Sequence, residues 1–136
     1  MGYLIDTNVL AEVRKRERGN PQVQAWMKSV RSSDLYLSVL VIGEVRAGIE
    51  RLRRRDTAGA AALETWLSQI EKGYGARILP VSREIAEAWG HMTVPDPLPV
   101  IDGLLAATAK VQGLTLVTRN TKDVVRTGVS LLNPFE

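Results

Sequence analysis

Four acidic residues stand out by where they fall. Asp6 closes the short apolar run Tyr3-Leu4-Ile5, and Asp123, with Asn120 just before it, follows a second such run over residues 114–118. Glu44 lies in the first turns of a predicted helix beside its apolar stripe, with Gly48 one turn on removing a side chain from above it. Asp102 sits among Val100, Ile101, Leu104 and Leu105. A carboxylate in apolar surroundings is costly unless a cation meets it. Several converging on one site repel one another and stay ionised only around a hard cation such as Mg2+ or Mn2+. Such a metal activates water and steadies the charge on a phosphodiester during in-line displacement, so phosphodiester cleavage is the chemistry this set would serve.

Each acid taken singly has a plainer use. Asp102 could complement the positive end of its helix, and Asp123 could do the same in a first turn. Glu44 could form a solvated pair with Arg46 or Arg51, and Asp6 could be a turn residue after a strand. The metal reading rests on the four together.

The elements that must position them follow from local pattern. The first apolar run ends at Asp6 and leads through Thr7 and Asn8, both good N-caps, into a helix. Asn20-Pro21 starts a second helix, which the spacing of Val23, Trp26, Met27 and Val30 carries to about Arg31. Residues 35–39 read as a buried strand and 41–54 as a helix with the stripe Val41, Val45, Ile49 and Leu52. A further helix covers residues 58–73 and stops at Gly73-Tyr74-Gly75; a strand follows at 77–81, and Ser82 caps the next helix. Pro95, Pro97 and Pro99 break the chain before a helix over 99–112, which Gly113 ends ahead of the strand at 114–118. Residues 130–132 suggest a last edge strand. Short strands alternating with helices predict an α/β fold: a mainly parallel central sheet of four or five short strands with helices on both faces. Ligands of such sheets bind beyond the carboxyl ends of the strands, where Asp6 and the Asn120–Asp123 segment fall.

At 136 residues the chain is expected to be one domain spanning 1–136, with one core and one site. It has no cysteine, which excludes disulfides, thiolate metal sites and cysteine nucleophiles, so a metal must sit on oxygen or on the lone His91. His91 has no partner at ligand spacing and reads as structural or exposed. The formal charge of +3 fits a polyanionic partner but is too small to identify one. The basic run Arg51, Arg53, Arg54 and Arg55 reads first as a solvated helix end and only second as an RNA contact. Trp26, Trp66 and Trp89 lie on apolar faces and read as packing. No apolar run approaches the ~20 residues that span a bilayer, and no secretory leader is indicated, so a cytoplasmic protein is expected.

These residues resemble those of a known family along nearly the whole chain. Leu4-Ile5-Asp6-Thr7-Asn8-Val9-Leu10 is similar to the opening motif of PIN domains, and Leu37-Ser38 through Gly43-Glu44 with Ala47-Gly48-Ile49 to their second motif. Ile101-Asp102-Gly103 with Ala106-Ala107-Thr108-Ala109 resembles the third, and Leu116-Val117-Thr118-Arg119-Asn120 followed by Asp123 the fourth. The ending Thr127-Gly128-Val129 and Asn133-Pro134-Phe135 is like that of the FitB-type branch of VapC toxins.

The resemblance implies a PIN-like three-layer fold, an Mg2+ or Mn2+ site, and endoribonuclease activity on structured RNA such as transfer or ribosomal RNA. By it, Asp6 and Asp102 become the principal metal ligands, directly or through water, and Glu44 the acid that orients water. Thr7, Asn8 and Thr118 would support the carboxylates by hydrogen bonds, and either Asn120 or Asp123 would complete the site. It further implies a homodimer and a VapB-like (FitA-like) antitoxin that binds DNA and occludes the acids, often with an arginine. Two other classes remain as alternatives. One is a catalytically inactive PIN-like binding module, which the uncharged Asn120 would suit. The other is an Mg-dependent phosphotransferase using Lys110 or Lys122.

Overall fold

The computed structural model describes residues 2–136. Strands β1 (Tyr3–Ile5), β2 (Leu35–Ser38), β3 (Ile78–Leu79), β4 (Thr115–Val117) and β5 (Leu131–Leu132) form one sheet in the order β3-β2-β1-β4-β5. Every neighbouring pair is parallel. Parallel neighbours require crossovers, and the helices supply them. α1 (Thr7–Arg14) and α2 (Pro21–Ser29) lie between β1 and β2, and α3 (Val39–Arg53) and α4 (Thr57–Tyr74) between β2 and β3. α5 (Arg83–Met92) and α6 (Val100–Gln112) join β3 to β4, and α7 (Thr121–Val124) lies between β4 and β5.

The chain moves in one direction from β1 through β2 to β3, then crosses back to β4 and β5 on the other side of β1. With right-handed crossovers this reversal sends α1 to α4 to one face of the sheet and α5 to α7 to the other, which makes three layers. It also makes the β1/β4 junction the point where strand order switches, and a crevice opens there at the carboxyl ends of the strands. Asp6 follows β1 and Thr118 follows β4, so both fall at its mouth. Leu4, Ile5, Leu37, Leu116 and Val117 are fully buried in the sheet, as continuous apolar strands covered on both faces must be. Leu105, Ala106 and Ala109 of α6 join the same core, while Ile49, Ala60 and Leu67 form a smaller cluster that pins α4 to α3.

Most boundaries fall within two residues of expectation, and the differences have local causes. α1 begins at Thr7 with Asp6 as its N-cap, not Thr7 or Asn8. α2 ends at Ser29 because Val30 is already extended. Val39, expected at a strand end, is the first residue of α3, since the buried Ser38 hydroxyl accepts the Leu40 N–H (3.0 Å) and starts the helix there. The caps at Asn20 and Ser82 form as predicted, and Gly113 ends α6 in the left-handed conformation.

Surface features take the plainer readings. Arg53 and Arg46 are engaged by Glu50 and Glu64, forming exposed ion pairs that link α3 to α4. Trp26 meets Tyr3 edge-on, with ring centroids 5.3 Å apart, and Trp89 packs against Gly103. His91 is exposed on α5. Among the described residues no helix is long and apolar enough to cross a membrane.

Gly48 lies inside α3, and a Cβ there would meet nothing within 4 Å. Gly48→Ala therefore gains helix propensity without a clash and is expected to raise stability by ~1 kcal/mol. A higher urea midpoint at unchanged slope is the expected reading; an unchanged midpoint would contradict it.

Candidate metal centre

The crevice is built around Asp6, which is 5% exposed. Its backbone N–H continues the ladder to the Val117 carbonyl (3.0 Å), which fixes the residue at the β1/β4 seam. Oδ1 accepts the Thr7 N–H (2.7 Å), the first residue of α1, whereas a capping side chain ordinarily engages the second or third. Oδ2 faces β4 and accepts the Thr118 hydroxyl (2.7 Å) and, at longer range, the Asn8 amide (3.4 Å). Thr118, 1% exposed, also accepts the Asn120 N–H (3.0 Å), and Asn8 Oδ1 accepts the Arg119 N–H (3.2 Å). The two strand ends are thus tied together through side chains, with one carboxylate at the centre.

Glu44 reaches the site from the second turn of α3. Its Oε1 accepts the Thr7 hydroxyl at 2.5 Å. The solvated pair with Arg46 or Arg51 does not form: Arg46 goes to Glu50 and Glu64, and among the described residues no ion pair involves Glu44.

Asp102 enters from the opposite face, in the first turn of α6, whose N-cap Pro99 offers no side-chain bond. The helix end favours its negative charge, yet the net effect runs the other way. Burial, then the negative charges of Asp6, Asp123 and Glu44, and a hydrogen bond with Asp123, push its carboxyl up to about 6. Asp102 therefore feels all three other acids, and Asp123 is within hydrogen-bonding reach of it.

The two candidates for the fourth position differ in their surroundings. Asp123 lies in the first turn of α7 and meets Asp102, whereas Asn120 is the backbone cap of α7, makes no side-chain capping bond and contributes its N–H to Thr118.

Among the described residues no ion pair reaches any of the four acids, and no three acidic or histidine side chains are drawn together as a ready metal cage. The donor set nevertheless fits Mg2+ or Mn2+. Mg2+ keeps several waters and takes only one or two protein carboxylates, and the mutual repulsion recorded at Asp102 is what a divalent cation would relieve. A groove of about 300 Å3 runs from Thr7 and Glu44 along Arg14, Lys15, Leu63 and Trp66. A larger cavity of about 410 Å3 lies at the amino end of β4, beside Gly113, Thr115 and Ser130, and contains none of the acids.

Sequence reasoning overlooked two residues here. Ser38 sets where α3 begins and so where Glu44 falls; its signal was a serine just before a helical stripe. Arg119 was seen only as part of a motif, but its backbone N–H is tied to Asn8 and its guanidinium lies over the Phe135 ring, 4.5 Å from the ring centroid.

A sequence model of the PIN domain matches residues 3–128. The chain is 33% identical to Toxin FitB of Neisseria gonorrhoeae, covering 97% of each chain. It is 28% identical to a VapC ribonuclease of Sinorhizobium fredii, covering 98% of this chain and 97% of that protein. It is similar to the crystal structure of FitAcB from Neisseria gonorrhoeae, with a TM-score of 0.89 and 32% identity over 98% of this chain and 99% of that one. VapBC2 from Rickettsia felis bound to a promoter DNA fragment shares the fold, with a TM-score of 0.76 at 17% identity over 98% of each chain.

Proposed function

The chain belongs to the PIN-domain family, and from that premise we propose that it is a metal-dependent endoribonuclease acting as the toxin of a toxin–antitoxin pair. The observation that carries the reading is that Asp6, Asp123 and Glu44 all act on Asp102 at the strand-order switch, where burial first and then their negative charges push its carboxyl up to about 6.

Asp6 and Asp102 would hold Mg2+ or Mn2+, with waters completing its shell. When bound, the metal supplies charge for the phosphodiester and lowers the pKa of water. Thr118 from the neighbouring strand end and Asn8 from α1 fix the Asp6 carboxylate, so it does not turn away as charge develops. Thr7 holds Oε1 of Glu44, leaving Oε2 to orient the attacking water and accept its proton. Asp123 adds a fourth negative charge beside Asp102.

The substrate class we propose is structured RNA, such as transfer or ribosomal RNA, in a cytoplasmic setting. The relatives named FitB and VapC, and structures of FitAB and VapBC bound to DNA, support a VapB-like or FitA-like antitoxin partner that binds DNA; in the proposed complex it would cover the acids. Homodimerisation is part of the same reading, and sedimentation of the purified chain reads it directly. Of the two lysines the phosphotransferase alternative would use, Lys110 lines the cavity at the amino end of β4, away from the acids, and among the described residues Lys122 makes no hydrogen bond or ion pair with any of them. Four acids kept together also weigh against an inactive module, which gains nothing from their repulsion.

The test is incubation of the purified chain, free of antitoxin, with total bacterial RNA in manganese or in EDTA. Discrete fragments in manganese only are expected, and their ends give the target. Intact RNA in both, from folded protein, would reject the nuclease.

A further inference from the structure

We infer that Arg119 is a substrate-binding residue that takes one phosphate of the RNA backbone at the rim of the acidic crevice; this rests on the endoribonuclease reading above.

Its place is fixed at both ends. The backbone N–H donates to Asn8 Oδ1 (3.2 Å), and its chain neighbours are Thr118, which holds Asp6, and Asn120, whose N–H Thr118 accepts. The guanidinium lies over the Phe135 ring, 4.5 Å from the centroid. Such a stack orders the side chain without using its N–H groups. Among the described residues no hydrogen bond or ion pair engages that guanidinium. Arg119 is an ordered positive charge with its donors free.

Five of the other arginines are held by protein groups, whereas Arg14, stacked on Trp66 at 5.8 Å, also has no hydrogen bond or ion pair among the described residues and lines the groove beside Glu44. Arg46 and Arg53 are held by Glu50 and Glu64, Arg31 by Asp34, Arg77 by the Ser32, Leu35 and Gly73 carbonyls, and Arg126 by the Asp96 carbonyl. Glu12, an acid whose charge Arg119 influences, is already committed. It is held below the ordinary carboxylate range first by the Asn20 N–H and then by Lys15, with Arg119 a weaker and more distant influence. An RNA strand reaching the acids meets strong negative charge, so a donor-rich cation on the segment that follows β4 and Thr118 can draw a phosphate toward them. Arginine suits this because its planar fork can meet two phosphate oxygens at once.

The experiment measures anisotropy of a fluorescein-labelled single-stranded RNA across a salt series, on an Asp102→Asn background in magnesium. It compares Arg119→Ala, Arg119→Lys and a control, Arg83→Ala, which removes an exposed charge at the start of α5. We expect Arg119→Ala to weaken binding roughly tenfold at low salt and to reduce the slope of log affinity against log salt by ~0.7, the release expected for one single-strand phosphate contact. Arg119→Lys keeps the slope with intermediate affinity, and Arg83→Ala changes neither. In the cleavage-competent protein, Arg119→Ala raises KM and leaves kcat. If the wild type cuts RNA with manganese while folded Arg119→Ala keeps its slope and KM, the inference fails and the nuclease stands. Were the wild type neither to cut nor to bind RNA, both would fall.

Discussion

Asp102→Asn abolishes metal-dependent cleavage and, at neutral pH without metal, yields a protein that melts above the wild type. Both halves follow from one feature. Asp102 is half-buried, and burial first, then the charges of Asp6, Asp123 and Glu44, push its carboxyl up to about 6, so in the metal-free protein at pH 7 it is ionised against its surroundings. An amide of the same shape removes a repelling charge and leaves Asp6 and Asp123 less opposed. The same change removes a charged ligand for the metal, whose stabilisation of the transition state amounts to several kcal/mol, so turnover falls by roughly a hundredfold or more. A melting curve in EDTA and a cleavage assay in manganese, on the same preparation, test the pair. Wild-type turnover in the variant removes Asp102 from the mechanism, and a lower melting temperature means its neighbours do not repel it.

Asp6→Asn is a poorer probe, although it also removes a ligand. Oδ2 of Asp6 accepts from both Thr118 and Asn8 in a site only 5% exposed. With the amide oxygen kept toward those two donors, the amide nitrogen would face the Thr7 N–H that Oδ1 now accepts, leaving that donor unsatisfied at a cost of about 1–3 kcal/mol. Lost activity in that variant mixes chemistry with stability, whereas in Asp102→Asn the two move in opposite directions.

What was legible in the sequence was local. Asn20-Pro21, Ser82 and Gly113 mark helix ends through a side chain or a backbone conformation within a few residues, and they fall where predicted. Asp6 at the end of an apolar run was visible for the same reason. The site's wiring was not, because it depends on distant segments. Thr118 reaches Asp6 from 112 residues away and Thr7 reaches Glu44 across 37, so nothing near Glu44 could say that its partner is a hydroxyl. Arg46, the pairing expected from helical spacing, is taken by Glu64 on the next helix. The strand-order reversal that brings β1 beside β4 is likewise a global property, and it alone turns two polar strand ends into one crevice. The choice between Asn120 and Asp123 depended on the path of α7. That helix is one turn long and uses Asn120 as its backbone cap, with Asp123 in its first turn, where its charge acts on Asp102, so Asp123 is the fourth acid we propose.

Manganese binding and cleavage both weaken about tenfold between pH 7 and pH 5. Metal binds the ionised carboxylate, so protons compete for Asp102, and with a carboxyl at about 6 the apparent affinity falls tenfold per pH unit below it for one displaced proton. An ordinary aspartate, near 3.9, would leave that range flat. The metal-free protein moves the other way. A carboxyl raised on folding contributes stability that is fully present below its unfolded value and lost as pH rises through about 6. Acidification from pH 7 therefore stabilises the protein in EDTA through this group while shrinking the gain in melting temperature that manganese confers. Asp102→Asn separates this from general acid effects, since in that variant both opposing trends should flatten. Calorimetric titration with manganese at pH 7, 6 and 5, beside melting curves in EDTA, reads the two signs independently. Affinity that holds constant down to pH 5 in the wild type would mean that Asp102 does not carry the metal, and the assignment of the centre would then shift to Asp6 with Glu44.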